Sequence, residues 1–159
     1  MGLFFGRSEK KRTNFVSPMA GKLLPLEEVP DPVFAQGAMG QGYAVALAGG
    51  EVVAPFDGEV VACFPTGHAY GLRSDDGVEV LLHIGLDTVE LDGEGFDRKV
   101  EAGQRVRRGE VLVVVDIAAI EARGKSLVSP VVFTGGQGVS LLKSGQHVKS
   151  GETDILAYE

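Results

Sequence analysis

Apolar and polar residues alternate over short stretches in much of the chain, a period that is typical of half-buried β-strands. In residues 78–84 every second side chain is apolar, and His83 lies on the other side. Gly and Pro recur between such stretches, where they favour turns. The predicted strands are 21–26, 43–48, 51–54, 58–64, 69–74, 78–84, 105–106, 111–115, 131–133, 139–142 and 155–158.

A short helix is predicted over residues 117–123. Asp116 is a suitable N-cap residue before it, and Gly124 can end it. Two similar octapeptides, 103–110 and 145–152, are each followed by an apolar run, as in a sandwich built from similar hairpins. We therefore predict an all-β fold: an antiparallel β-sandwich of the barrel-sandwich type with one or more short helices.

Composition agrees with one globular domain, because 44% of the 159 residues are hydrophobic. Residues 14–159 contain no linker rich in Ser, Gly or Pro, so we expect one compact domain there, preceded by a flexible tail over 1–13. The start lacks an export signal, and the apolar runs fall far short of the ~20 residues of a membrane span. We expect a cytoplasmic protein.

The charged residues limit the choice of partner. Lys and Arg number 15 and Asp and Glu 22, a formal charge of −7 that repels nucleic acid. In the tail, Leu3, Phe4 and Phe5 precede the basic residues 10–12, which suits at most weak contact with a membrane surface. The single cysteine, Cys63, lies in an apolar strand and is expected to be an inert buried thiol.

Two of the three histidines, His68 and His83, belong to a predicted hairpin that turns within residues 74–77. A loop of 75–76, or of 74–77, pairs residues whose numbers sum to 151 and places the histidines directly opposite each other. A loop of 76–77 gives a sum of 153 and makes them diagonal neighbours. An odd loop or a bulge would send them to opposite faces, because side chains alternate with a period of two.

In the even registers the two imidazoles converge, with Cβ atoms ~5 Å apart if opposite and ~7–8 Å apart if diagonal. Thr66, two residues before His68, would fall on the same face and offer its hydroxyl to the ring. Gly67, Gly71 and Gly85 would leave the backbone bare around the pair, where a partner or an anion approaches.

Two facing imidazoles can ligate a metal, act as general acid and base, or attack as a nucleophile. Zinc needs a third protein ligand, and Glu79 and Asp87 are the nearest carboxylates in the sequence, so a complete intrinsic zinc site is not expected. A nucleophilic histidine suits phosphoryl transfer, since phosphohistidine passes its group onward and a second imidazole can donate a hydrogen bond to the phosphoryl oxygens.

The hairpin and the residues after it carry a distinctive motif that runs from His68 to Phe96 and includes Leu82-His-Ile-Gly85 and Leu86-Asp-Thr-Val-Glu-Leu-Asp-Gly-Glu-Gly-Phe96. In this motif the sequence resembles the glucose-class enzyme IIA component of the bacterial sugar phosphotransferase system. The resemblance covers nearly the whole chain. Further matching segments are Val29-Pro-Asp-Pro-Val-Phe34, Val53-Ala-Pro-Phe-Asp-Gly58, Gly103-Gln-Arg-Val106, Lys125-Ser126 and Ser129-Pro-Val-Val132.

The resemblance implies a role for each residue of the histidine pair and its surroundings. His83 would be the phosphorylated nucleophile, and His68 would stabilise the phosphoryl group and assist its transfer. Thr66 would orient His68. The backbone carbonyl of Gly85 would hold the other ring nitrogen of His83 and leave Nε2 to attack, and Asp87 would lie at the rim.

The resemblance also implies partners. The donor would be the histidine phosphocarrier protein, and the acceptor a cysteine on the IIB domain of a sugar permease, with the glucose and N-acetylglucosamine routes both open. Since these 159 residues hold no IIB or IIC domain, another chain would choose the sugar. Val33, Phe34, Met39 and Tyr70 are candidates for an apolar partner-docking surface.

Alternative functions stay open. The unphosphorylated protein could be mainly a regulatory binding protein that docks on metabolic enzymes or permeases, since a phosphoryl group would add roughly −1.5 to −2 charge to the docking face. No cofactor is required by the resemblance, although a partner carboxylate could complete a zinc site with His68 and His83 in a complex. A zinc hydrolase on a similar β-sandwich lacks a ligand set and an export signal here.

Overall fold

The computed structural model describes residues 11–12 and 14–159. Within these residues two short helices, α1 (Pro32–Ala35) and α2 (Ile117–Ala122), accompany 3₁₀ turns at Leu26–Glu28 and Thr88–Leu91. The strands are β1 (Lys11–Arg12), β2 (Gly21–Pro25), β3 (Gln41–Leu47), β4 (Glu51–Val53), β5 (Gly58–Cys63), β6 (Ala69–Ser74), β7 (Glu79–His83), β8 (Phe96–Arg98), β9 (Arg105–Val106), β10 (Val111–Val115), β11 (Val128–Phe133), β12 (Val139–Leu141), β13 (His147–Val148) and β14 (Leu156–Tyr158).

These strands form three antiparallel sheets. The largest has the order β13-β2-β3-β11-β7-β6-β5-β9, and the others are β1-β14-β12 and β4-β10-β8. The predicted antiparallel β-sandwich with short helices is confirmed. Non-consecutive strands lie side by side in each sheet, for example β11 between β3 and β7, so distant segments of the chain meet around the histidine hairpin.

The large sheet separates two apolar clusters. Side chains alternate across a strand, so Val131 packs in the main core while its neighbour Val132 packs in a smaller cluster on the other face. Tyr70 pairs with Leu82 across β6 and β7, and both are fully buried in the main core. The smaller cluster consists of Leu26, Val29, Phe34, Ala44, Leu86 and Val132.

The hairpin register differs from both predicted registers. Ala69 pairs with His83 and Arg73 with Glu79, so facing residue numbers sum to 152 rather than to 151 or 153. The loop has three residues, 75–77, closed by a hydrogen bond from the N–H of Ser74 to the carbonyl of Val78 (2.8 Å). Gly77 has a φ of 89°, the left-handed conformation that such three-residue loops require at their last position.

The segment 1–13 was expected to be a tail, and residues 1–10 and 13 lie outside the described residues, including the apolar side chains Leu3, Phe4 and Phe5. Lys11 and Arg12 pair with Tyr158 and Ala157, so these two residues belong to a sheet rather than to a free tail. Among the described residues no helix is long and apolar enough to cross a membrane.

The helix predicted over 117–123 is confirmed as α2. The Asp116 carboxylate accepts a hydrogen bond from the N–H of Ala119 (3.0 Å), and Gly124 follows the helix with a φ of 75°. Strands β8 and β13 and helix α1 were not predicted. Each spans two to four residues, too few for a period to show.

We expect the Asp116→Ala substitution to lower the free energy of unfolding by about 1 kcal/mol, because it removes the N-cap of α2. Urea denaturation of the purified protein measures the change. Asp116→Asn is the matched control and should retain most of the stability, since its side-chain oxygen still accepts the hydrogen bond. Equal stability of Asp116→Ala and the parent protein would contradict the capping role.

Candidate active site

The two hairpin histidines meet. The ring centroids of His68 and His83 lie 5.2 Å apart with planes inclined at 78°. In the observed register strict alternation would separate them, but His68 precedes the first residue of β6 and follows Gly67, whose φ is 76°. The alternation of β6 therefore does not extend to His68, and its ring reaches the ring of His83 although the loop is odd.

His83 is held through one ring nitrogen. Its Nδ1 lies 2.7 Å from the carbonyl oxygen of Gly85. A carbonyl only accepts hydrogen bonds, so Nδ1 carries the proton and Nε2 carries the lone pair. Among the described residues nothing hydrogen-bonds this Nε2, which leaves it available to attack an electrophile.

His68 is held by the neighbour that the sequence indicated. The Oγ1 atom of Thr66 lies 2.5 Å from Nδ1 of His68. His68 as a whole residue is 3% exposed, and its ring packs edge-on against the ring of Phe64, with centroids 5.2 Å apart. Thr66 and Phe64 together fix the orientation of the His68 ring toward His83.

Burial keeps both imidazoles neutral near pH 7. Burial, and secondly the charge that His83 can carry, lower the pKa of His68 to about 4. Burial also lowers the pKa of His83, against the opposing effects of the hydrogen bond to Gly85 and of the charges of Asp31 and Asp87. A neutral imidazole is the nucleophilic form, so the site holds His83 in its reactive state.

The glycines around the pair have a different role from the one expected. A Cβ on Gly85 would lie 2.6 Å from Cγ2 of Thr88, and one on Gly67 would lie 3.2 Å from Cβ of Phe96. The space that these glycines leave is therefore filled by the chain itself rather than kept bare for a partner. Gly85 also has a φ of 73°, which a residue with a Cβ adopts only with strain.

Comparison with known proteins identifies the family. The model of the EIIA 1 component of the phosphoenolpyruvate-dependent sugar phosphotransferase system matches residues 13–139, most of the chain. The chain belongs to this family. The expected family is thereby confirmed, and the chain is a component of the sugar phosphotransferase system.

Individual relatives agree over nearly the full length. A PTS system glucose-specific EIIA component from Oceanobacillus iheyensis is 45% identical over 150 residues, 93% of this chain and 91% of that protein. One from Staphylococcus epidermidis is 40% identical over 156 residues, 96% of this chain and 94% of that protein. The solved glucose permease IIA from Mycoplasma capricolum superposes with a TM-score of 0.84 at 38% identity, covering 97% and 99% of the two chains.

The same kind of unit also occurs inside a larger protein. A PTS system glucose-specific EIICBA component from Staphylococcus saprophyticus subsp. saprophyticus is 51% identical over 121 residues, which are 76% of this chain and 18% of that protein. EIIA sequences similar to this chain are therefore found both as separate proteins and as parts of a fused one.

The apolar surface predicted for docking is partly wrong. In this EIIA chain Val33 is 55% exposed and Met39 is also exposed, as a docking surface requires. Phe34 is buried against the ring of His83, with centroids 5.3 Å apart. Tyr70 is fully buried, because it lies on the core face of β6, and it cannot contact a partner.

Two further exposed apolar residues lie beside site residues in the sequence or in space and were not predicted as docking residues. Phe64 is 46% exposed and touches His68, and Val89 is 54% exposed in the 3₁₀ turn that follows Asp87. Both lie in short turns, where exposure does not follow from a sequence period. We define the apolar rim as Val33, Met39, Phe64 and Val89.

Two carboxylates add negative charge beside His83. Asp87, the residue that the resemblance places at the rim, is exposed and has a left-handed conformation with a φ of 57°. Asp31 was not singled out as a site residue, although Asp before Pro32 signals a helix start. Its carboxylate accepts a hydrogen bond from the N–H of Val33 (3.0 Å), which fixes it beside His83.

The remaining candidates lie apart from this pair. Cys63 is half-buried rather than buried, and its Sγ accepts a hydrogen bond from Nη1 of Arg98 at 3.6 Å. His147, the third histidine of the chain, is exposed in β13. Within residues 11–12 and 14–159 no group of three or more His, Cys, Asp or Glu side chains is arranged to hold a metal ion.

The low pKa of His68 predicts a pH-dependent stability. Between about pH 6.5 and 4 the unfolded chain binds a proton at His68 while the folded chain does not, so stability falls as the pH falls through this range. We expect His68→Gln to lose less free energy of unfolding between pH 7 and pH 4.5 than the parent protein loses. Urea denaturation at both pH values measures this difference.

The matched control is His147→Gln, which replaces an exposed histidine. Between pH 7 and pH 4.5 this variant should lose about as much free energy of unfolding as the parent protein loses. If His68→Gln and His147→Gln showed the same pH dependence, burial of His68 would not be the cause.

Proposed function

We propose that this chain is a cytoplasmic phosphocarrier of the glucose route. His83 accepts a phosphoryl group from the histidine phosphocarrier protein and passes it to a cysteine on the IIB domain of a sugar permease. The observation that carries the proposal is the geometry of His83. Its Nδ1 is hydrogen-bonded to the carbonyl of Gly85, and its Nε2 has no hydrogen-bond partner among the described residues and belongs to a ring that lies beside the ring of His68.

The transfer begins at Nε2 of His83. Its lone pair attacks the phosphorus of the donor's phosphohistidine, the new N–P bond forms, and the donor's P–N bond breaks with its electron pair returning to the donor ring. The His83 ring gains positive charge as the bond forms. The carbonyl of Gly85, whose oxygen lies 2.7 Å from Nδ1, stabilises this charge by accepting a hydrogen bond from the Nδ1–H group.

His68 acts on the phosphoryl oxygens. When the hydroxyl of Thr66 donates to Nδ1 of His68, the ring proton resides on Nε2. That N–H donates to a phosphoryl oxygen on His83 and stabilises the charge that develops during transfer. In delivery, the acceptor thiolate attacks the phosphorus, and the bond to Nε2 of His83 breaks.

The surroundings of the pair support a protein partner rather than a small molecule. The apolar rim offers exposed side chains that a partner can bury, and Asp31 and Asp87 place negative charge beside His83. A partner with an apolar centre and basic residues around it would fit this face. Since donor and acceptor both need access to His83, they would use the same face in turn.

The glucose route is favoured over the N-acetylglucosamine route by the names of the relatives, which are glucose-specific components or a glucose permease. Docking of the unphosphorylated form on metabolic enzymes or permeases stays a prediction. A zinc ion bound in a complex by His68, His83 and a partner carboxylate also stays a prediction. This chain would contribute two nitrogen ligands to it.

We expect His83→Ala to abolish phosphorylation by the upstream carrier, because the attacking nitrogen is gone. His68→Gln should still accept phosphate but deliver it to the IIB domain at least about 100-fold more slowly, the scale of a misplaced catalytic group, because the amide is not held where the ring nitrogen was. Single-turnover assays with labelled phosphate measure both steps. Acid-labile, base-stable phosphate on His83→Ala would refute the assignment of His83, and unchanged delivery by His68→Gln would remove His68 from the mechanism.

We expect Val33→Asp to raise the KM for the phosphorylated donor roughly 10-fold, equivalent to about 1.4 kcal/mol of binding, with little change in kcat. The substitution places a charge in the apolar rim, on α1. Leu142→Asp is the matched control, because Leu142 is similarly exposed but follows β12 in a different sheet. The same rise in KM for both variants would contradict docking on the rim.

A further inference from the structure

The peptide unit that joins Ile84 to Gly85 is held at both of its polar groups by side chains. The carbonyl of Ile84 accepts a hydrogen bond from Oγ1 of Thr88 (2.6 Å), and the N–H of Gly85 donates to Oγ of Ser129 (2.9 Å). Both hydroxyl residues are completely buried. The orientation of this peptide plane therefore depends on two side chains from different parts of the chain.

The next peptide unit, between Gly85 and Leu86, contains the carbonyl that binds Nδ1 of His83. Its N–H, on Leu86, donates to the carbonyl of Ser126 (3.2 Å). All four polar groups of the two peptide units around Gly85 are thus engaged. Since both units share the α-carbon of Gly85, rotation of the first one moves the carbonyl of the second.

Ser129 is oriented to accept rather than to donate at this point. Its Oγ donates its single proton to the carbonyl of Leu127 (2.9 Å), which leaves a lone pair for the N–H of Gly85. Without the hydroxyl, that N–H would be buried and unpaired. A buried unpaired donor carries a large penalty, which the backbone at Gly85 can reduce by rotating.

Thr88 acts through its methyl group as well as its hydroxyl. Its Cγ2 occupies the space that a Cβ on Gly85 would need, at 2.6 Å from that position. The methyl group restricts the movement of Gly85 from one side, while the Oγ1 bond to Ile84 restrains the preceding carbonyl. Thr88 therefore restrains the carbonyl of the peptide unit between Ile84 and Gly85, and Ser129 restrains the N–H group of the same unit.

We infer that Ser129 and Thr88 are positioning residues for phosphoryl transfer, which hold the Gly85 carbonyl against Nδ1 of His83 and so keep the lone pair on Nε2. The inference rests on the proposed function of His83 as the nucleophile. Neither residue touches the phosphoryl group. Their effect is on the ring tautomer and on the direction in which Nε2 points.

The test combines a spectroscopic and a kinetic measurement on Ser129→Ala. We expect ¹⁵N chemical shifts of the unphosphorylated protein to show a larger fraction of His83 with the proton on Nε2. We also expect about 10-fold slower phosphoryl acceptance at saturating donor, with an unchanged KM, a smaller effect than the ~100-fold cost of a 1 Å misplacement. Ser129→Thr keeps the hydroxyl and should restore both readouts.

Thr88→Val provides a second, independent variant. It keeps a methyl group beside Gly85 but removes the hydrogen bond to Ile84, so it should shift the His83 tautomer in the same direction. Thr88→Ser keeps that hydrogen bond and removes only the methyl group, so it should shift the tautomer less. Urea denaturation confirms that each variant is folded before it is compared. Wild-type ¹⁵N shifts and rates in folded Ser129→Ala and Thr88→Val would overturn the inference.

The two readouts separate this inference from the proposed function. If the parent protein accepted no phosphate on His83, the proposed function would fail, whereas the ¹⁵N shifts of unphosphorylated Ser129→Ala would still decide whether Ser129 controls the tautomer. If the parent protein accepts phosphate and Ser129→Ala matches it in both rate and tautomer, the positioning role alone is wrong.

Discussion

The hydrogen bond between Nδ1 of His83 and the carbonyl of Gly85 is the interaction on which the site depends. It assigns the ring proton to one nitrogen and leaves the other for chemistry. It requires a left-handed backbone at residue 85 with no Cβ, because Thr88 and Ser126 occupy that space. The reactivity of His83 therefore depends on the presence of glycine at position 85.

The large sheet holds His83 in the position that this hydrogen bond requires. His83 ends β7, in the middle of the sheet, where its neighbours Leu82 and Ile84 are fixed in the main core. On the other face its ring packs against Phe34, which belongs to the smaller cluster. Burial between these two clusters both orients the imidazole and disfavours its protonation, so packing and chemistry have a common origin.

The local features of the site could be predicted and its long-range features could not. Thr66 lies two residues from His68 and Gly85 two residues from His83, so both contacts are local. The first was expected from its spacing and the second from the family resemblance. Ser129 lies 44 residues from Gly85, and sequence patterns carry no signal for that contact. The burial of Tyr70 was missed for a related reason, since exposure depends on which face of β6 meets the core.

The sequence by itself determined most of the strands, the helix at 117–123 with its cap, the family and the two histidines, because these depend on period, local hydrogen bonding and short motifs. Tertiary structure decided the register of the hairpin, the meeting of the rings despite an odd loop, and the role of the glycines. The register depends on the loop length, because a change of one residue moves every side chain of the strand to the other face. The meeting of the rings and the role of the glycines depend on packing between segments that are far apart in the chain.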